Sequence, residues 1–124
     1  MEFLPEAFKS LSDPTRIQML ALLCHYDELC VCDFIGILKI PQPKASRHLQ
    51  TLFRAGLVRA QKRATWTYYR IFKSSSETSK FQAAILPLIA SSLSSNTKVR
   101  AKVWLAKRGG NACSIKLKPR KTYD

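Results

Sequence analysis

Two prolines, Pro41 and Pro43, interrupt the first half of the chain and constrain its fold more than any other feature. Proline lacks a backbone N–H and disfavours helical geometry in the residue before it, so a helix cannot run through this point. Apolar residues recur at helical spacing on both sides. We therefore predict a short helix over Leu29–Leu38, a tight turn, and a second helix from Pro43 to Ala55.

The hydrophobic period changes after Gly56, a residue type that often follows the end of a helix. Leu57–Arg63 and Trp66–Phe72 are rich in β-branched and aromatic residues, and they flank the short segment Ala64-Thr65. This pattern predicts a β-hairpin with two basic residues, Lys62 and Arg63, near its tip.

Further helices are predicted before and after this unit. Met1–Leu11 and Pro14–Cys24 have helical apolar patterns, and Asp13 suits the N-cap of the second helix. A long helical region is predicted over Ser79–Lys107, in which Pro87 either kinks the helix or opens a second segment.

The positive charge of the chain lies in its later part. The net charge is +13, yet residues 1–40 carry three bases and six acids, whereas residues 41–124 carry 18 bases and two acids. Such a concentration of positive charge indicates a polyanionic partner such as DNA. No secretory signal and no apolar segment of about 20 residues is visible, so we expect a cytoplasmic protein with no membrane partner.

We expect one winged-helix DNA-binding and dimerisation domain over residues 1–108, mainly α-helical with a small β-hairpin. A flexible basic tail that contains Cys113 is expected over residues 109–124.

Three segments resemble the ArsR/SmtB family of winged-helix regulators. Leu11–Ile17 is similar to its helix-opening signature, Gln42–Leu49 to its recognition helix, and Trp66–Ile71 to its wing. The resemblance implies a winged helix-turn-helix repressor that binds double-stranded operator DNA. It also implies a homodimer formed through the N- and C-terminal helices, and an inducer that releases the protein from DNA.

The same resemblance implies which residues face DNA. A helix fits the major groove and reads base edges, while basic side chains on a wing reach the backbone. His48 also suits a packed, hydrogen-bonded position. The expected DNA-facing residues are Gln42, Lys44, Ser46, Arg47 and His48 on the helix, and Lys62 and Arg63 on the wing.

Glu28–Asp33, with cysteines at positions 30 and 32, resembles the As(III)- or Sb(III)-sensing segment of the arsenic-responsive branch. Soft thiolates suit such ions. The family often places a third cysteine where this chain has Ile35. We therefore expect Cys30 and Cys32 to bind the inducer with Cys113 as the third ligand; Cys24 is the less favoured candidate, because it also suits a buried apolar position.

Side chains two positions apart in a regular helix point about 200° apart around its axis. Cys30 and Cys32 must therefore lie in extended chain, or at a deformed helix start, to hold one ion. In either case we expect binding to strain the first helix of the helix-turn-helix and to misplace the recognition helix, which is our hypothesis for release from DNA.

Alternatives of the same fold are a zinc- or cadmium-responsive repressor, a thiol-redox-responsive repressor and a non-sensing DNA-binding protein. Zinc prefers four ligands, and the chain has only two histidines. We do not expect an enzyme, because a thiol reductase requires a phosphate-cradling loop or a C-x-x-C motif, and the sequence has neither.

Overall fold

A computed structural model of the protein describes residues 3–72 and 76–108. Its elements, in chain order, are α1 (Phe3–Ser10), α2 (Pro14–His25), β1 (Leu29–Cys30), α3 (Val31–Leu38), α4 (Gln42–Arg54), β2 (Val58–Arg63), β3 (Trp66–Ile71), α5 (Ser76–Ser91) and α6 (Ser95–Arg108).

Helices α3 and α4 confirm the predicted helix-turn-helix. Lys39 ends α3 in the left-handed conformation with a φ of 57°, and Pro41 is the extended N-cap residue of α4. The buried face of α4 contains Ala45, Leu49 and Leu52.

Phe53 has nearly the helical spacing of this buried face, but it is 45% exposed. At about 100° per residue, Phe53 lies at the edge of the stripe formed by the three buried residues, so it opens to the surface.

Strands β2 and β3 form the predicted hairpin, with Val58 opposite Ile71 and Arg63 opposite Trp66. Ala64 supplies the left-handed turn conformation, with a φ of 58°, that glycine more often supplies.

The sheet has a third strand that we did not predict. Its strand order is β1-β3-β2, and Leu29 and Cys30 pair with Tyr69 and Tyr68. We expected these two residues inside a helix; instead they pair with β3, and α3 begins at Val31. The local apolar period could not indicate this strand, because strand pairing depends on a partner about forty positions away.

Helix α2 forms the centre of the core. Its N-terminus confirms the predicted cap, because the Asp13 side chain accepts the Arg16 backbone N–H at 3.1 Å. Met19–Leu23 are all buried, which is a wider apolar face than a single stripe. The reason is that α2 packs against α4 and α5 and also against β3.

The C-terminal helical region is divided into two helices. Pro87 stays inside α5, and the break between α5 and α6 falls after Ser91. Helix α5 packs on α2, whereas α6 packs across α3. Trp104 of α6 lies over Gly36, where an added Cβ would be 2.5 Å from its ring.

None of the described helices is long and apolar enough to cross a bilayer.

Candidate DNA interface and thiol site

The outer face of α4 is polar and basic. Its buried stripe turns toward the core, so the side chains that follow the opposite side of the helix turn outward. Four of the residues expected to face DNA are exposed there: Gln42, Lys44, Ser46 and Arg47.

His48 lies instead between α4 and the start of α2. The Arg16 guanidinium is 2.9 Å from its Nδ1, and Asp13 Oδ2 is 3.9 Å from its Nε2. A guanidinium only donates, so Nδ1 accepts and the ring is neutral. Burial lowers the pKa of His48; Asp13 opposes this shift, and the nearby bases Arg16, Lys44 and Arg47 add to it.

The carboxylate of Asp13 completes this cluster. Partial burial acts to raise its pKa, but the backbone N–H of Arg16, the charge of Arg16 and, at the acid pH where His48 is protonated, the charge of His48 outweigh burial and hold the pKa below 3.8. The cluster fixes the side of α4 that faces α2.

The two basic residues of the wing have different surroundings. Lys62 is exposed at the end of β2. The Arg63 guanidinium forms an ion pair with Glu28 and lies over the Tyr68 ring at 4.2 Å, and its side chain is only 11% exposed. Arg63 therefore fastens the hairpin to the segment that precedes β1.

Cys30 and Cys32 lie together at the junction of β1 and α3. Cys30 is fully buried and is the extended N-cap residue of α3, whereas Cys32 is in the first helical turn and half-buried. Their Sγ atoms are 3.6 Å apart, a contact distance well beyond the roughly 2.05 Å of a disulfide bond. The extended conformation of Cys30 brings the sulfurs together while Cys32 stays in the helix. This arrangement differs from both geometries we expected, which were extended chain at both cysteines or a deformed helix start.

The distance between the sulfurs suits a shared ligand. Two thiolates that bind one tetrahedral zinc at about 2.3 Å have sulfur atoms about 3.8 Å apart. The N-terminus of a helix also favours negative charge, because its first N–H groups point outward. The pair can therefore supply two soft ligand atoms to one thiophilic ion.

A buried carboxylate that the sequence reasoning missed lies next to this pair. Asp33 is fully buried and accepts the Cys30 backbone N–H at 2.9 Å. It also accepts the Trp104 indole N–H at 2.8 Å and Nε–H of Arg108 at 2.7 Å. The spacing of Cys30 and Asp33 matches a capping box, which was the one local signal for it.

Of the other two cysteines, the structure describes only Cys24. The Cys24 thiol is 3.9 Å from the Leu86 carbonyl oxygen, so it faces α5. Cys113 and the basic tail lie outside the described residues. Within residues 3–72 and 76–108, no group of three or more His, Cys, Asp or Glu side chains is placed to hold a metal ion.

Comparison with known proteins gives the family. A sequence model of the bacterial regulatory protein arsR family matches residues 13–60. The chain is 48% identical over 66 residues to the HTH-type transcriptional regulator MJ1325 of Methanocaldococcus jannaschii, a match that covers 53% of this chain and 74% of that protein. The chain belongs to the arsR family. It is therefore a winged-helix transcriptional regulator and not an enzyme, as the sequence predicted.

Other arsR-family relatives are named for arsenic or cadmium. The arsenical resistance operon repressor of Escherichia coli is 44% identical over 66 residues, which are 53% of this chain and 56% of that protein. The cadmium regulator CadC of Listeria innocua is 41% identical over 64 residues, which are 52% of this chain and 54% of that protein. The chain thus spans little more than half the length of these two relatives.

A solved structure of an arsR-like regulator agrees with the fold. HlyU from Vibrio cholerae superposes with a TM-score of 0.58 at 29% identity, over 69% of this chain and 90% of that one. The expected winged helix-turn-helix architecture is confirmed.

Proposed function

We propose that this regulator represses transcription by binding operator DNA as a homodimer, and that As(III) or Sb(III) bound by Cys30 and Cys32 releases it. One observation carries the proposal: the two sulfur atoms lie 3.6 Å apart at the start of α3, the helix that precedes α4. The name of the Escherichia coli relative, an arsenical resistance operon repressor, supports the same ligand.

In this proposal α4 enters the major groove. The exposed Gln42, Lys44, Ser46 and Arg47 contact bases and phosphates, and the exposed Lys62 contacts the backbone beside the wing. His48 contacts Arg16 and Arg63 contacts Glu28, so these two residues hold α4 and the wing in place and do not face DNA themselves.

The proposed dimer uses α1 and α5. These helices meet where the Phe8 and Phe81 rings pack edge to face with centroids 5.5 Å apart. Leu4 and Phe8 on α1 are 43% and 55% exposed, and Leu88 on α5 is 68% exposed. Exposed apolar side chains on two adjacent helices are typical of an interface between subunits.

The inducer chemistry needs no oxidant. At a trivalent arsenic hydroxide each thiol forms an As–S bond, and its proton leaves with the displaced hydroxide as water.

Cys113 is the proposed third ligand. It follows Arg108, which contacts Asp33, by five positions, a span of up to about 17 Å in extended chain.

Release follows from the double role of Cys30. As part of β1 it pairs with Tyr68 of the wing strand β3, and as the N-cap residue it fixes the start of α3. A ligand that pulls on its sulfur therefore shifts the wing relative to the helix-turn-helix. Since DNA binding requires both to fit at once, the shift lowers affinity.

Cadmium is the alternative inducer. The relative CadC supports it by name, and the sulfur spacing suits a tetrahedral metal as well as a pyramidal one. A tetrahedral ion needs two more ligands than the described thiol pair supplies. As(III) needs only one more, which Cys113 supplies in this proposal, and for this reason we favour As(III).

Equilibrium dialysis of the full-length dimer against arsenite tests the ligand set. We expect one arsenite per subunit for the wild type and for Cys24→Ser, which serves as the matched control. Loss of binding is expected in Cys30→Ser and Cys32→Ser, and weaker binding in Cys113→Ser. Tight binding of cadmium but not arsenite by the wild type would contradict the proposed inducer.

A further inference from the structure

Helix α6 reaches the thiol site through one buried carboxylate. The Oδ1 atom of Asp33 accepts hydrogen bonds from Nε1 of Trp104 and from Nε of Arg108. Its Oδ2 atom accepts the backbone N–H of Cys30 at 2.9 Å. Asp33 thus connects two side chains of the last described helix to the residue that carries one of the two thiols.

A fully buried carboxylate is stable only with its partners in place, because removing one of them leaves a charge without compensation. Asp33 follows Cys32 directly in the chain, so both thiol-bearing residues lie within three positions of it. A change in the contacts between Asp33 and α6 therefore shifts the backbone that carries Cys30 and Cys32.

We propose that Asp33, Trp104 and Arg108 are positioning residues of the thiol site, which hold Cys30 and Cys32 at a spacing suited to a thiophilic ion. The identity of that ion rests on the proposed function. Two of the three residues lie outside positions 13–60, which match the arsR family model. In metal sites, partners that orient the ligands typically change affinity by about 10–100-fold.

The same helix interface offers a matched control. Arg100 of α6 donates its Nε–H to the Ile37 carbonyl oxygen at 2.7 Å, at the other end of α3. Its replacement weakens the docking of α6 without touching Asp33. Trp104→Phe, in contrast, keeps an aromatic side chain beside Gly36 but removes the N–H donor to Asp33 together with one of the two fused rings.

The experiment compares the full-length variants Trp104→Phe, Arg108→Gln, Arg108→Lys and Arg100→Gln with the wild type. In dialysis against arsenite we expect Arg108→Gln to bind 10–100-fold more weakly and Trp104→Phe about 10-fold more weakly. Arg108→Lys should recover part of the loss, because it keeps the charge but not the planar donor group. Arg100→Gln should stay within about threefold of the wild type.

A second measurement needs no arsenite. Iodoacetamide labelling of the unliganded protein, followed cysteine by cysteine by mass spectrometry, reports how firmly the buried Cys30 thiol is held. We expect labelling of Cys30 to be several-fold faster in Trp104→Phe and Arg108→Gln than in the wild type, and unchanged in Arg100→Gln. Circular dichroism checks that each variant is folded. If Arg108→Gln does not fold, the conclusion is drawn from Trp104→Phe.

The outcomes separate this inference from the proposed function. If labelling and arsenite affinity are unchanged in both Trp104→Phe and Arg108→Gln, or if Arg100→Gln has the same effect as they do, the positioning role is wrong. If the wild type does not bind arsenite, the proposed inducer is wrong, and the labelling rates alone decide the positioning role.

Discussion

The imidazole of His48 on α4 accepts a hydrogen bond at 2.9 Å from the guanidinium of Arg16 on α2. The proposed DNA-reading helix is thereby joined to the helix that forms the centre of the core. Because this bond requires a neutral ring, the joint between α2 and α4 is sensitive to pH.

The pH dependence has a definite sign. Folding lowers the pKa of His48 from 6.5, mainly through burial, so the unfolded chain takes up the proton first as the pH falls. The stability that neutral His48 contributes is complete above about pH 7.5 and is lost as the pH falls through 6.5 toward the folded pKa. Asp13 acts in a separate range, below pH 3.8, because its pKa is also lowered.

We therefore expect His48→Asn to reduce the loss of stability between about pH 7.5 and pH 5.5, measured by urea unfolding. The same change at exposed His25, whose ring contacts the Ala90 carbonyl oxygen, is the matched control for the loss of an imidazole. Equal slopes in the wild type and His48→Asn would show that the depressed pKa does not contribute.

The two basic residues of the wing should differ in their effect on DNA binding. Exposed Lys62 is free to pair with a phosphate, so Lys62→Gln should lower the slope of log Kd against log salt by about 0.9 per subunit. Arg63→Gln should leave that slope nearly unchanged and lower the stability of the hairpin, because Arg63 contacts Glu28 and Tyr68. A larger change in slope for Arg63→Gln than for Lys62→Gln would contradict this assignment.

Gly36→Ala tests the packing of α6 on α3. Helix propensity alone predicts that alanine stabilises a helix by up to about 1 kcal/mol. The added methyl, however, would lie 2.5 Å from the Trp104 ring. We expect a net destabilisation of about 1–3 kcal/mol in chemical unfolding, which Trp104→Ala should relieve in the double variant. Stabilisation by Gly36→Ala alone would show that α6 does not dock as described.

Charge on the proposed dimer face should separate the subunits. Leu88→Glu changes a side chain that is 68% exposed, so the fold should be retained while the dimer dissociates at least tenfold more readily in analytical ultracentrifugation. Val99→Glu is the matched control, because Val99 is 60% exposed but lies on α6. Dissociation by Val99→Glu and not by Leu88→Glu would move the interface to α6.

Elements with local signals could be predicted from the sequence. The Asp13 cap, the break at Pro41 and Pro43, and the change of period after Gly56 each depend on residues within a few positions. For Cys30 and Cys32 the angle between helical positions showed only that they cannot share an ion within a regular helix. Their contact depends on the extended conformation of Cys30, which the structure shows.

Features that depend on distant partners could not be predicted. β1 exists only because Leu29 and Cys30 pair with β3, and the buried Asp33 is satisfied by residues more than seventy positions later. The inward position of Arg63 has the same origin, because its partner Glu28 is distant in sequence. No local pattern encodes these contacts.

The most direct test of the central claim is the affinity for DNA with and without arsenite. A labelled promoter fragment from upstream of the gene is titrated with the wild type and with Cys30→Ser, and anisotropy gives both dissociation constants. We predict that arsenite weakens binding by the wild type about 5–150-fold, the usual range of allosteric coupling, and leaves Cys30→Ser unchanged. Equal affinity of the wild type with and without arsenite would contradict the account.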